Sequence, residues 1–239
     1  MPIIEHPDVR RMLLRMRALT EGARALLYYT CGQVDRGTLG DSAAQARADV
    51  LVPLVKAWGT DIGCEVASLG VQVHGGMGYI EETGAAQYYR DARIAPIYEG
   101  TNGIQAADFV TRKLDMADGG VLLALLDDVA AAAKSAPGLA ALAQDCIDVA
   151  RWMLADASLD DRLAGSVPFT TMCAVAVAGW QLARQAVAVA GESGALAATK
   201  PVTARFFLER IVPEAAGLKA SAMAGAGLLY ELNAEALGS

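Results

Sequence analysis

Histidine is almost missing from this 239-residue chain: His6 and His74 are the only two. A zinc or diiron site on helices needs clustered imidazoles or paired Glu-x-x-His motifs, and neither histidine stands in one, so no metal site is expected. The four cysteines, Cys31, Cys64, Cys146 and Cys173, form no CxxC and read as reduced thiols buried in apolar helical stretches. Basic residues are in deficit, 20 Lys and Arg against 27 Asp and Glu, for a net charge of -7 and a pI near 4.9. Without a basic footprint, nucleic acid and anionic membrane surfaces are disfavoured as partners. Long apolar runs are missing too. The most membrane-like stretch, residues 172–180, is broken by Gln181 and Arg184 and falls far short of the roughly 20 residues a span requires. The opening Met-Pro-Ile-Ile-Glu-His-Pro has neither the basic start nor the apolar core of a signal peptide, so a cytoplasmic location is expected.

Strand signals are equally scarce, and helical spacing dominates. Hydrophobic residues make up 54% and mean hydropathy is +0.31, enough apolar surface to build a core. Much of it is alanine and leucine, the best helix formers. The first helix is predicted from Pro7, whose fixed φ suits a first turn, with Val9, Met12, Leu13, Met16, Leu19, Ala23, Leu26 and Leu27 as one apolar stripe. Gly37–Gly40 ends it, and Asp41 or Ser42 caps a second helix running towards His74. At roughly 30 residues that helix would be about 45 Å long. A short helix follows at 82–89, then an apolar loop, then a helix capped by Thr101 and reaching about Leu114. Beyond Asp118-Gly119-Gly120 the spacing predicts helices at 121–134, 138–156, 167–190 and 201–231. Ser166 and Thr199 are the expected caps, Pro168 and Pro201 the first-turn residues, and Pro213 a kink. The predicted fold is all-α: an up-down helical bundle over residues 1–117 with a second helical bundle, residues 118–239, packed on it.

The informative stretch is 72–114. Gly75-Gly76-Met77-Gly78 could bring backbone N–H groups close to an anion, yet it also reads as a plain helix end and tight turn. It is no dinucleotide fingerprint, because Glu81 stands where the third glycine belongs and no strand precedes it. Glu99 follows the apolar run Ile94-Ala95-Pro96-Ile97-Tyr98 and precedes Gly100. Held in an apolar pocket, its carboxylate would be a stronger base, because desolvation penalises the charged form. As a solvated loop residue it would do nothing.

Taken together, Gln72-Val-His-Gly-Gly-Met-Gly-Tyr79, then Tyr89-Arg-Asp-Ala-Arg-Ile94, then Ile97-Tyr-Glu-Gly-Thr-Asn-Gly-Ile-Gln105 resemble the carboxy-terminal part of the acyl-CoA dehydrogenases in order and spacing. The opening His6-Pro-Asp-Val-Arg-Arg-Met-Leu13, with Ala204-Arg-Phe-Phe207 and Pro213-Glu-Ala215, resembles a longer branch that carries an extra helical domain. The resemblance implies the following. Glu99 is the catalytic base that removes the α-proton of an acyl-CoA, as in fatty acid metabolism, while FAD takes the β-hydrogen. Gly100 lets the chain pass close to flavin and substrate, and Thr101 lies near the FAD pyrophosphate. Gln72, Gly75 and Gly76 touch the FAD of a neighbouring subunit, so the cofactor is shared across a homodimer interface. Arg90 and Asp91 form a structural ion pair. Electrons pass on to an electron-transfer flavoprotein. In the family, an amino-terminal helical domain and a central β-domain precede this part. The chain is therefore expected to be an expressed domain, a shortened frame or one piece of a split enzyme, needing another protomer or chain for its missing domains and inactive alone. The alternative is a non-catalytic helical interaction or oligomerisation module that retains the motifs.

Overall fold

The computed structural model describes residues 1–238, and no strand occurs among them. Two antiparallel 32-residue helices, α1 (Pro7–Thr38) and α2 (Ser42–Val73), form the spine. Pro7 opens α1 as predicted. The Asp41 side chain caps α2 by accepting from the Ala44 amide at 3.0 Å. A carboxylate at this point meets the orphan N–H groups of the first turn, and the Ala44 amide first, with Arg36 on the other side, holds the Asp41 carboxyl below its ordinary range. The helix then runs unbroken through Pro53.

The chain turns at α3 (Gly76–Tyr79) and doubles back along α2 as α4 (Ala85–Ala92). An irregular loop, 93–101, leads into α5 (Asn102–Asp108), which continues as a π-helical turn, Phe109–Lys113. A corner of left-handed residues, Ala117, Asp118 and Gly119 with φ of 51°, 53° and 85°, then redirects the chain. After it come α6 (Gly120–Ala132), α7 (Pro137–Ala155), α8 (Leu159–Ala164) and α9 (Ser166–Ala188). The remainder is α10 (Ala195–Phe206), a second π-helical turn at Phe207–Ile211, α11 (Val212–Ala216), α12 (Lys219–Ala222) and α13 (Ala234–Leu237).

Helix α9 is the axis of the core. By length and composition it could cross a membrane, but 72% of its apolar window is buried within this fold. It packs on α1, α2, α7 and α10. The core is one continuous cluster that joins Leu19, Leu51 and Phe109 to Leu125, Phe169 and Phe207. The Phe109 and Phe169 rings lie 5.5 Å apart, and Trp58 meets Phe207 edge-on at 6.3 Å. Each such buried ring contributes about 3–5 kcal/mol against truncation to alanine.

Several local expectations need correction. Leu27 is exposed, and small residues complete the buried stripe of α1 instead: Ala18, Gly22 and Ala25 beside Met12, Leu19 and Leu26. At Gly22 the close approach of Phe207 leaves no room even for a Cβ. Cys146 and Cys173 are buried as expected, Cys64 only partly, and Cys31 is exposed. Ser166 begins α9 rather than capping it; its hydroxyl donates to the Leu163 carbonyl. Thr199 lies inside α10 with its hydroxyl on the Ala195 carbonyl, and Pro201 lies inside as well, because the helix starts earlier, after the left-handed Gly194. The long final helix passes through a π-helical turn and Pro213 but stops at Ala216, where Gly217 and Leu218 interrupt it, and the short α8 has no counterpart in the predicted elements.

Candidate functional site

The loop 93–101 owes its shape to both flanks. Pro96 is buried, and its carbonyl accepts the Asn102 amide at 3.0 Å. The Ile94 carbonyl accepts the amides of Ile97 and Tyr98, each at 3.0 Å. The chain must then reverse into α5, and it does so at two left-handed residues, Glu99 with φ +54° and Gly100 with φ +88°. Glycine adopts that conformation freely, whereas a residue with a Cβ loses roughly 1–2 kcal/mol there. Thr101 caps α5, its hydroxyl accepting the Ile104 amide at 3.3 Å.

Glu99 itself is exposed, and so are Ile97 and Tyr98 beside it. The expected apolar pocket is therefore not supplied by this chain, because the loop sits on the outside of α2 and buries only Pro96. No hydrogen bond or ion pair engages the Glu99 carboxylate among the described residues. The amides of Glu99, Gly100, Thr101 and Gly103 meet no acceptor among these residues either. A strained acid thus stands among free backbone donors at a helix start, an arrangement that suits an anionic or carbonyl-bearing group.

Sequence reasoning missed what lies behind the loop. The Asn102 side chain turns back onto α2. Its Nδ2 donates to the Ala57 carbonyl, the Thr60 hydroxyl and the Asp61 carboxylate at 2.9, 2.9 and 2.8 Å. Its Oδ1 accepts from Lys56 Nζ at 2.9 Å, and the same ammonium donates to the Ala95 carbonyl at 3.1 Å. Burial pushes the Asp61 carboxyl above its ordinary range, against the opposing pull of Asn102, Arg93 and Lys56. Nothing local in the sequence could have shown this, since the partners stand 41 to 46 residues apart.

The glycine turn lies elsewhere. Gln72, Gly75 and Gly76 are exposed at the end of α2, some 11 residues past Asp61, which is about 16 Å along the helix. Gly75 has φ +62°, and a Cβ at Gly75 or Gly76 would meet no atom within 4 Å. Within one chain, then, Gln72, Gly75 and Gly76 do not join Glu99, Gly100 and Thr101. Between α1, α2 and α4 lies an apolar cleft of about 430 Å³, lined by Met16, Val66, Tyr88 and His74. The His74 ring Nδ1 donates to the Gly70 carbonyl at 2.7 Å. Arg90 pairs with Glu81 at 3.3 Å on the surface rather than with Asp91, because the two neighbours point to different sides of α4. No cluster of three or more His, Cys, Asp or Glu side chains suited to a metal occurs among the described residues.

Residues 1–114 match the family model described as acyl-CoA dehydrogenase, C-terminal domain, and residues 121–233 match that described as acetyl-CoA dehydrogenase C-terminal like. The chain belongs to the acyl-CoA dehydrogenase family. It is 46% identical over 236 residues to the 3-methylmercaptopropionyl-CoA dehydrogenase of Ruegeria pomeroyi, covering 89% of this chain and 40% of that protein. It is 33% identical over 245 residues to the broad-specificity linear acyl-CoA dehydrogenase FadE5 of Mycobacterium tuberculosis, covering 88% of this chain and again 40% of the relative. Among solved structures, an acyl-CoA dehydrogenase complexed with FAD from Bacillus anthracis superposes with a TM-score of 0.73 at 20% identity, over 99% of this chain and 45% of that one. That likeness shows the shared helical fold. This acyl-CoA dehydrogenase family chain spans about two fifths of the length of the two relatives named.

Proposed function

We propose that this chain is the carboxy-terminal part of a flavin-dependent acyl-CoA dehydrogenase in which Glu99 removes the α-proton of an acyl-CoA thioester. The observation that carries the reading is Glu99 itself: an unpaired acid kept on a left-handed backbone, between free amides and a helix start. Ala117 and Asp118 share such a φ at the chain's other corner, but only Glu99 combines it with free amides at a helix start, and that combination supports a task for its side chain.

The residues fit one side of a flavin dinucleotide. Free N–H groups at the start of α5 suit a diphosphate, and the Thr101 hydroxyl caps beside them. Open space at Gly75 and Gly76 admits a ligand against the backbone. We assign Gly100 and Thr101 to one flavin and Gln72, Gly75 and Gly76 to that of a neighbouring protomer, since about 16 Å of α2 lies between Asp61, to which Asn102 is tied, and Gln72. When bound, FAD supplies the acceptor for the β-hydrogen. The chain's own work is to hold the Glu99 carboxylate at the α-carbon, take its proton, and present the Glu99 amide to the thioester oxygen, where negative charge develops. Desolvation of Glu99 is then completed by substrate, cofactor and the domains that cover the exposed face of Ile97, Tyr98 and Ile104. An electron-transfer flavoprotein as electron acceptor and a cytoplasmic location belong to the same reading.

The test is to co-express this chain with segments matching the remaining length of its relatives. A yellow complex that bleaches on adding acyl-CoA, and whose Glu99→Gln variant keeps its flavin but loses turnover, is the expected result. A fully active Glu99→Gln complex ends the proposal. A stable, colourless oligomer would favour a non-catalytic module.

A further inference from the structure

The loop that carries Glu99 lacks regular structure, yet both its ends are tied to one point on α2. Lys56 Nζ holds Ala95 through its carbonyl and Asn102 through its side chain. Asn102 is the first residue of α5, a place where a side chain normally faces solvent, and the capping there is already done by Thr101. Its amide is therefore free to turn inward, and it saturates there. The Nδ2 hydrogens meet three acceptors within one turn of α2, on Ala57, Thr60 and Asp61, and Oδ1 takes a proton from the Lys56 ammonium and another from the Thr60 hydroxyl.

Only a short neutral amide serves both partners. Aspartate would set a second carboxylate against Asp61, which Asn102 now approaches to 2.8 Å. Leucine would leave Lys56 and Asp61 without their shared partner. Glutamine is one methylene too long for a site whose bonds at the amide ends lie between 2.8 and 3.1 Å. Three residues upstream, Glu99 must keep an unfavourable φ, and such a conformation persists only where its surroundings over-determine it.

We propose that Asn102 is a positioning residue for Glu99, locking the loop onto α2 through Lys56, Thr60 and Asp61 so that the carboxylate is presented in one place. The proposal rests on Glu99 being the base.

The experiment has two readouts. On the chain as it stands, hydrogen exchange of the Ile97, Tyr98 and Asn102-region amides is followed in Asn102→Ala; about ten-fold faster exchange is expected, the change that one net hydrogen bond supports. In the complete flavoenzyme, Asn102→Ala should lower kcat by roughly a hundred-fold with KM little changed, since displacing a catalytic group by about an ångström costs that much. Asn102→Asp should be as poor. Combining it with Asp61→Asn restores one amide facing one carboxylate, though the Ala57 carbonyl still loses its donor, and should recover part of the rate, which a loss of packing would not. Exchange and kcat both unchanged in Asn102→Ala, in an enzyme that Glu99→Gln inactivates, overturn the proposal. An enzyme indifferent to Glu99→Gln overturns the base assignment and with it the catalytic role of Asn102, while the exchange measurement still shows whether the amide holds the loop.

Discussion

Arg15 of α1 and Glu214 of α11 meet fork to fork, with Nη1 and Nη2 at 2.7 and 2.8 Å from the two carboxylate oxygens, while Nε of the same guanidinium engages Glu65 of α2. One side chain thus joins elements nearly 200 residues apart. Glu214 first, and Glu65 after it, hold the guanidinium above its usual range despite partial burial. Arg15→Ala should cost about 1–3 kcal/mol, because it strands Glu65 and removes the stem's packing. Glu214→Gln should cost under about 1 kcal/mol, since Glu214 is more than half exposed. Urea denaturation of the two variants decides it; equal, negligible losses would show that the clamp contributes nothing.

Asp61 gives a prediction of opposite sign. Its folded pKa is raised, chiefly by burial. A carboxyl of this kind favours the fold most when protonated, so its contribution is present below the unfolded value of about 3.9 and is lost as pH rises through the folded one. Asp61→Asn should therefore raise the urea midpoint at neutral pH, because its Oδ1 still accepts from Asn102 while the partly buried carboxylate charge is removed. The gain should vanish in acid. A variant less stable at neutral pH than the parent would refute this account.

Asp161 behaves the other way. Its carboxylate accepts from the Ser158 hydroxyl and amide and from the Ala226 amide at 2.7, 3.1 and 2.8 Å. These bonds, the Ser158 hydroxyl first, hold its pKa below the ordinary range. The stabilisation is in force above about pH 4 and is lost as pH falls through the lowered value. Proteolysis of the segment beyond Gly225 should accelerate in acid in the parent, and at all pH values in Asp161→Asn. Equal cleavage rates in the two proteins at pH 7 would count against this tether.

Two glycines of α1 make a paired test. A Cβ on Gly22 would lie 2.7 Å from Cε2 of Phe207, whereas one on Gly32 would meet nothing within 4 Å. Gly22→Ala must move a buried ring and should cost about 1–3 kcal/mol. Gly32→Ala relieves backbone entropy in a helix interior and should gain roughly 0.5–1 kcal/mol. Thermal melts that move in the same direction would contradict the geometry.

Helix starts were legible where the chemistry is local. Pro7, Asp41 and Thr101 act within one turn, and each does what its residue type predicts. Thr199 misled because threonine inside a helix can bond back to its own turn, as it does to Ala195. The Y-E-G-T stretch pointed to Glu99, but its exposure could not be read, because burial of a loop depends on what lies opposite it. Asn102 was hidden for a related reason: its value comes from Lys56, Thr60 and Asp61, residues that only the return of the chain along α2 brings within reach.

With Glu99 as the proposed base, its φ of +54° sets activity against durability. Asparagine tolerates that backbone better than glutamate does, so Glu99→Asn would leave a sturdier loop and no longer-reaching acid. Chance substitution guided by folding alone would drift away from glutamate here. Under the proposed role the acid is retained through its side chain alone, and a survey of stabilised variants of this protein should find the glutamate at position 99 among the first to be lost.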